Sequence, residues 1–137
     1  MSAENKAVFQ QFVDGLNNKD VDKIEQIMAP NFVNHDQPPG QKPGPDGMRE
    51  MLEMFFAGFP DLKVTLNQVI AEGDLVAGAM TTEGTQTGVF MGIPASDKKI
   101  SITEMHMVRV ADGKVVEHWG VTDAMGMMQQ LGVMPED

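Results

Sequence analysis

A chain of 137 residues has the length of one domain, and 42% hydrophobic against 22% charged residues is the balance of a soluble globular protein, not of a disordered or membrane-spanning one. Twenty acidic against ten basic residues give a net charge of -10 without any run of Lys or Arg, which argues against nucleic acid and against an anionic membrane surface as partners. With no cysteine there can be no disulfide, thiolate metal site or cysteine nucleophile.

The amino-terminal MSAENKAVF lacks the basic stretch and apolar core of a signal peptide, so a cytoplasmic protein is expected. Val8, Phe9, Phe12, Val13 and Leu16 then recur at helical spacing and predict a first amphipathic helix. Asn17, Asn18 and Asp20 supply turn and N-cap chemistry for a second, shorter helix. That helix turns Val21, Ile24, Ile27 and Met28 inward and ends at Pro30. Residues 32–35 read as a short strand. Residues 37–45, with four prolines and two glycines, read as a loop.

Pro45 and Asp46 open a third helix whose apolar face runs through Met48, Met51, Leu52, Phe55, Phe56 and Phe59 to Pro60. Beyond Pro60 the period becomes that of strands. Turn signals at 72–74, 94–98 and 112–113 separate extended runs at 63–71, 75–87, 99–110 and 114–122. Short turns of this kind make an antiparallel meander. A final helix at 124–132 has Thr122 or Asp123 as its N-cap and Gly132 as its stop. Helices followed by a curved antiparallel sheet describe a single α+β domain over 1–137. In such a roll the unfilled end between sheet and third helix leaves a pocket.

Chemistry concentrates on the last two long strands. By period-two alternation Ile100, Ile102, Glu104, His106, Val108 and Val110 share one face, so a carboxylate and an imidazole interrupt an apolar surface. If that face looks into the core, the two groups tune one another as acid and base. The partner of His106 on the last strand depends on the turn at Ala111-Asp112-Gly113. A three-residue loop sets His106 opposite His118 and Glu104 opposite Gly120, whereas a two-residue Asp-Gly turn sets His106 opposite Trp119 and brings Val121 and Asp123 inward. Asp123 is a candidate acid as well as a helix cap. Asn34 and His35 end the first strand where they could reach a pocket mouth.

Phe12, Met51 and Phe55 from the helices, Trp119 from the last strand and Met91 from the 88–94 loop are assigned to the pocket lining. Thirteen methionines make that lining pliable. The same loop, GVFMGIP, offers Phe90, Met91 and Ile93 to the sheet, to the pocket mouth or to a partner subunit. The three histidines have no close metal-ligand spacing, and no glycine cluster opens a helix after a strand, so neither a metal nor a nucleotide cofactor is expected.

Taken in order, FVNHD at 32–36, GPDGMREML at 44–52, FPDLKV at 59–64, GVFMGIP at 88–94, EMHMVRVADGKVVEHWGVTD at 104–123 and MMQQLG at 127–132 resemble the SnoaL-like polyketide cyclase (ester cyclase) family of the nuclear-transport-factor-2-like superfamily. The resemblance runs nearly end to end. It implies a cone-shaped α+β barrel, a homodimer or higher homo-oligomer, and a cavity for an apolar carbonyl compound. In its cyclising members a polyketide ester closes a ring there by intramolecular aldol condensation, without metal or cofactor. By matching motif His106 and Asn34 fall on cavity positions and Glu104 on a neighbouring one, and the resemblance favours the three-residue hairpin loop.

His106 is then the expected acid/base, Glu104 its orienter, His118 a second proton site and Asn34 the hold on the substrate oxygen. The cyclising members carry an acid/base aspartate two residues beyond the histidine matching His118, where this chain has Gly120. An isomerase or epoxide-opening enzyme, and a non-catalytic ligand-binding or dimerisation module, are the other readings of such a pocket.

Overall fold

The computed structural model describes residues 2–37 and 40–133; Pro38 and Pro39 of the expected loop, and residues 134–137, lie outside it. Helix α1 (Ser2–Asn18) buries the stripe of Val8, Phe9, Val13 and Leu16 against the sheet. Asn17 ties its end to the sheet edge, its amide donating to Val64 O and accepting from Val64 N. Asp20 caps α2 (Val21–Gln26) by accepting from Lys23 N.

Strand β1 (Met28–Asn34) begins earlier than the expected strand, and α2 stops short of Pro30. The reason is the sheet: Val115 N donates to Ile27 O at 2.7 Å and draws the chain into a parallel pairing. Pro30 is exposed on that edge strand, where a missing N–H removes no ladder bond. Helix α3 (Gly44–Gly58) follows with Pro45 in its first turn, and buries Met48 and Leu52.

Strands β2 (Lys63–Glu72), β3 (Leu75–Thr85), β4 (Lys99–Ala111) and β5 (Lys114–Thr122) form the expected antiparallel meander, and the sheet order is β1-β5-β4-β3-β2. The fold is α+β, with helices packed on one face of a curved sheet that does not close into a complete barrel, since β1 and β2 remain its edges. Strand β3 stops at Thr85, short of the expected 75–87; the fully buried Gln86 still donates its N–H to Lys98 O, but its carbonyl accepts from Ser96 N and Asp97 N at the end of the loop. The Gln86 side chain bonds Ile93 O, Pro94 O and Ser96 Oγ, and so folds the 87–98 loop inward. Phe90 from that loop is wholly buried between Phe55 and Phe59.

The β4–β5 hairpin takes neither expected register. Asp112 (φ 52°) and Gly113 (φ 75°) make a two-residue turn with Ala111 opposite Lys114. Val116 is then an extra residue between the Val110–Val115 and Arg109–Glu117 pairs. This bulge shifts the ladder by one, so His106 faces Gly120, Val108 faces His118 and Glu104 faces Thr122. Helix α4 (Ala124–Gln130) closes one end of the sheet, with Gly132 (φ 77°) just past its end.

Candidate functional site

Directly opposed residues of an antiparallel pair share a face, so the Val116 bulge decides what looks inward. It brings His118, Gly120 and Thr122 of β5 to the side of Glu104 and His106 of β4; a two-residue turn without it would have turned Trp119 and Val121 in. Along β4, Ile100 and Ile102 join an apolar cluster with Phe59, Phe90 and Met127, while Val108 and Val110 join the larger one with Phe9, Val76 and Val115. Glu104 and His106 occupy the stretch between. The parallel β1 pairing sets Asn34 beside His118.

A single line of hydrogen bonds runs through this cluster. Asn34 Oδ1 accepts from Asp36 N at 3.0 Å and lies 2.8 Å from His118 Nδ1. His118 Nε2 lies 2.8 Å from His106 Nδ1, with ring planes 22° apart and centroids 5.0 Å apart, the arrangement of an in-plane N–H···N bond. His106 Nε2 lies 3.3 Å from Glu104 Oε1. Thr122 Oγ1 donates to that same oxygen at 2.8 Å, and Thr82 Oγ1 donates to Glu104 Oε2.

Burial pushes the Glu104 carboxyl up, but the hydrogen bonds from His106, Thr82 and Thr122 with the nearby His106 charge more than offset it, so it sits below the usual carboxylate value. His118 is only 5% exposed, and burial, reinforced by His106, holds its imidazole down at about 3 despite the Glu104 carboxylate. The Asp36 carboxyl is raised, by burial first and by Glu104, against the lowering effect of His106.

Gly120 explains how two imidazoles fit. A Cβ there would stand 2.6 Å from His106 Nδ1, closer than such contacts allow, and a tight 3.0 Å from His118 Cε1. The space that a side chain at position 120 would need is therefore filled here by the paired rings.

The cluster forms the polar end of a cavity of about 90 Å³. Phe9, Phe12, Met48, Met51, Leu52, Phe55 and Met80 supply much of its apolar wall, and Thr82, Glu104, His106 and His118 its polar end. That volume is below the ~150 Å³ that takes a benzene-sized ligand, so a larger guest requires the flexible Met48, Met51 and Met80 to give way. Among the described residues, no group of three His, Asp or Glu side chains converges to hold a metal ion. No described helix is long and apolar enough to cross a membrane.

The structure thus gathers His106, Glu104, His118 and Asn34, with Phe12, Met51 and Phe55 around the cavity. Four other expected positions are corrected. His35 and Trp119 point from the outer face of the sheet, one residue out of phase with Asn34 and His118. There they stack at 4.9 Å, with Arg109 at 5.9 Å from the indole and His35 Nε2 at 2.9 Å from Glu117. Met91 is 57% exposed at the turn beyond Phe90, away from the cavity. Asp123 caps α4, its carboxylate accepting from Gly126 N at 2.9 Å. Thr82, Thr122 and Asp36 were not anticipated. Alternation from Val76 and from His118 places both threonines inward, and Asp36 lies within the FVNHD motif.

The family model described as SnoaL-like polyketide cyclase matches residues 6–131. Nogalonic acid methyl ester cyclase of Streptomyces nogalater is 26% identical over 127 residues, 88% of this chain and 91% of that protein. Aklanonic acid methyl ester cyclase DnrD of Streptomyces peucetius is 32% identical over 60 residues, 44% of this chain and 41% of its own. Among solved structures, TsrD of Streptomyces laurentii matches with a TM-score of 0.88 at 28% identity, covering 96% of this chain and 97% of its own. AclR of Streptomyces galilaeus matches with a TM-score of 0.89 at 30% identity, covering 99% of this chain and 89% of its own.

Proposed function

We propose, since this chain belongs to the SnoaL-like polyketide cyclase family, that it is a cyclase-type enzyme moving a proton next to the carbonyl of an apolar, polyketide-like small molecule. The observation that carries the reading is the Glu104–His106 pair, 3.3 Å apart, at the polar end of an otherwise apolar cavity. Burying two ionisable groups costs stability, and a sleeve for an apolar ligand has no use for them.

In the proposed reaction the C–H electron pair becomes the enolate and the proton goes to His106 Nε2, where Glu104 Oε1 steadies it. The enolate carbon attacks a second carbonyl of the same molecule, forming a C–C bond and opening that C=O to an alkoxide. The alkoxide then takes the proton back from the pair. No electron is gained or lost overall, so the ring closure asks for no redox cofactor. Thr82 and Thr122, donating to Glu104, keep the carboxylate turned toward the imidazole. The proposal extends to a homodimer in the cytoplasm, in which the exposed Met105 and Val121 on the outer sheet face meet a second copy.

The test is deuterium exchange at the activated carbon of β-keto esters and aromatic polyketide mimics, followed by NMR. Exchange above buffer is expected for the wild type and its loss for His106→Asn. If panel members bind but none exchanges, the reading falls and the cavity is that of a binding module.

A further inference from the structure

We propose that Asn34 is a positioning residue which, acting through His118, commits His106 to donate from Nδ1 and so leaves its Nε2 edge, shared with Glu104, as the one edge that exchanges a proton. The functional consequence rests on the proton-transfer reading above; the hydrogen-bond polarity does not.

The assignment follows from one backbone amide. Asp36 N–H can only donate, so the Asn34 side-chain atom it meets at 3.0 Å is the carbonyl oxygen, and the amide cannot be flipped. That oxygen can only accept, so the His118 nitrogen 2.8 Å away, Nδ1, carries a hydrogen. His118 is buried and stays neutral well below pH 7, which leaves its Nε2 as a lone pair. The atom facing that lone pair at 2.8 Å, His106 Nδ1, must then carry a hydrogen as well. The remaining nitrogen, His106 Nε2, faces the Glu104 carboxylate, and the edge between them either holds one proton or is empty. The empty edge is the base form and the filled edge the acid form.

Gly120 is part of the same device, because a side chain there would wedge the rings apart at His106 Nδ1. The ionisable groups acting on the two rings are Glu104 from β4, Asp36 from the turn after β1 and, on His118, His35 from the outer face. None of them offers His118 Nδ1 another acceptor at hydrogen-bond distance; that place is taken by Asn34. His118 is therefore not a second proton site but a fixed acceptor, and Asn34 holds His118 where the sequence suggested it would hold substrate.

Long-range proton–nitrogen NMR on the ¹⁵N-histidine-labelled full chain reads the tautomers without any substrate. The wild type is expected to show His118 protonated at Nδ1 and bare at Nε2, with His106 protonated at Nδ1. Finding His118 protonated at Nε2 instead overturns the proposal outright, whatever the variants do. Asn34→Leu removes the acceptor and should change the His118 tautomer and lower the rate constant of carbon exchange by about 10²-fold or more with little change in KM. Asn34→Asp keeps an acceptor oxygen and should restore the Nδ1-protonated form. Unchanged tautomers in Asn34→Leu would also overturn the proposal. Correct tautomers in a protein that exchanges no substrate would uphold it while the reaction reading fails, so the two failures are distinguishable.

Discussion

At the scale of single residues, His118 should leave a mark on stability that ordinary carboxylates do not. Its imidazole is held at about 3 in the fold against 6.5 in the unfolded chain, with burial the main cause. Between those values the unfolded state holds the extra proton, so stability falls as pH falls, by about 1.4 kcal/mol per pH unit, and is unaffected by this group above 6.5. Glu104 acts in the same direction but lower. Its carboxyl sits below 4.5, so its contribution is complete above that value and is lost only as pH drops through the folded pKa. Denaturant titrations between about pH 7 and pH 5, run on the wild type beside His118→Gln, therefore read this histidine's share by difference. The wild type should lose stability over that range with a slope steeper by one proton than His118→Gln, and equal slopes would mean that His118 titrates freely in the fold. That Glu104 and His106 lie side by side was legible in the sequence, because alternation along 99–110 needs no long-range knowledge to put them on one face. The bond from His106 to His118 was not, since it depends on Gly120 lacking a side chain and on Asn34 arriving from another strand.

At the scale of elements, α4 distinguishes capping from catalysis. Asp123 starts the helix by accepting from Gly126 N, and it lies outside the lining of the cavity. Asp123→Ala should cost about 1 kcal/mol, as N-cap losses typically do, and leave carbon exchange at wild-type rate; an abolished exchange in a folded variant would put the carboxylate back among the acids. Helix α4 was readable from the run AMGMMQQLG and its flanking Asp123 and Gly132, as were the four meander strands from their turn signals. What escaped was set by partners distant in sequence. Pro30 looks like a helix terminator until Val115 is known to bond Ile27 O and pull the segment into an edge strand. Val116 looks like any strand valine, yet as a bulge it restores the parity that the Asp112-Gly113 turn alone would have broken. The same parity carries His35 and Trp119 to the outer face, one position from residues that point in.

At the scale of the whole molecule, the sheet presents its outer face uncovered. Ile70, Met105 and Val121 are 70%, 59% and 74% exposed there, and Ala77 and Ala79 lie across the ladders from Ile70 and Met105. On that side Arg109 holds both Asp74 and Glu117. A net charge of -10 makes two copies repel at long range, so an interface has to rely on apolar contact over a patch of this kind. Sedimentation equilibrium should give the mass of two chains for the wild type and one for Met105→Glu with Val121→Glu; a monomeric wild type at high concentration would refute the dimer. Ionic strength supplies the sign. Added salt screens the repulsion between two acidic copies but leaves apolar burial in place, so association should tighten as salt rises. An interface held by ion pairs would loosen instead, and a salt series on the same protein separates the two.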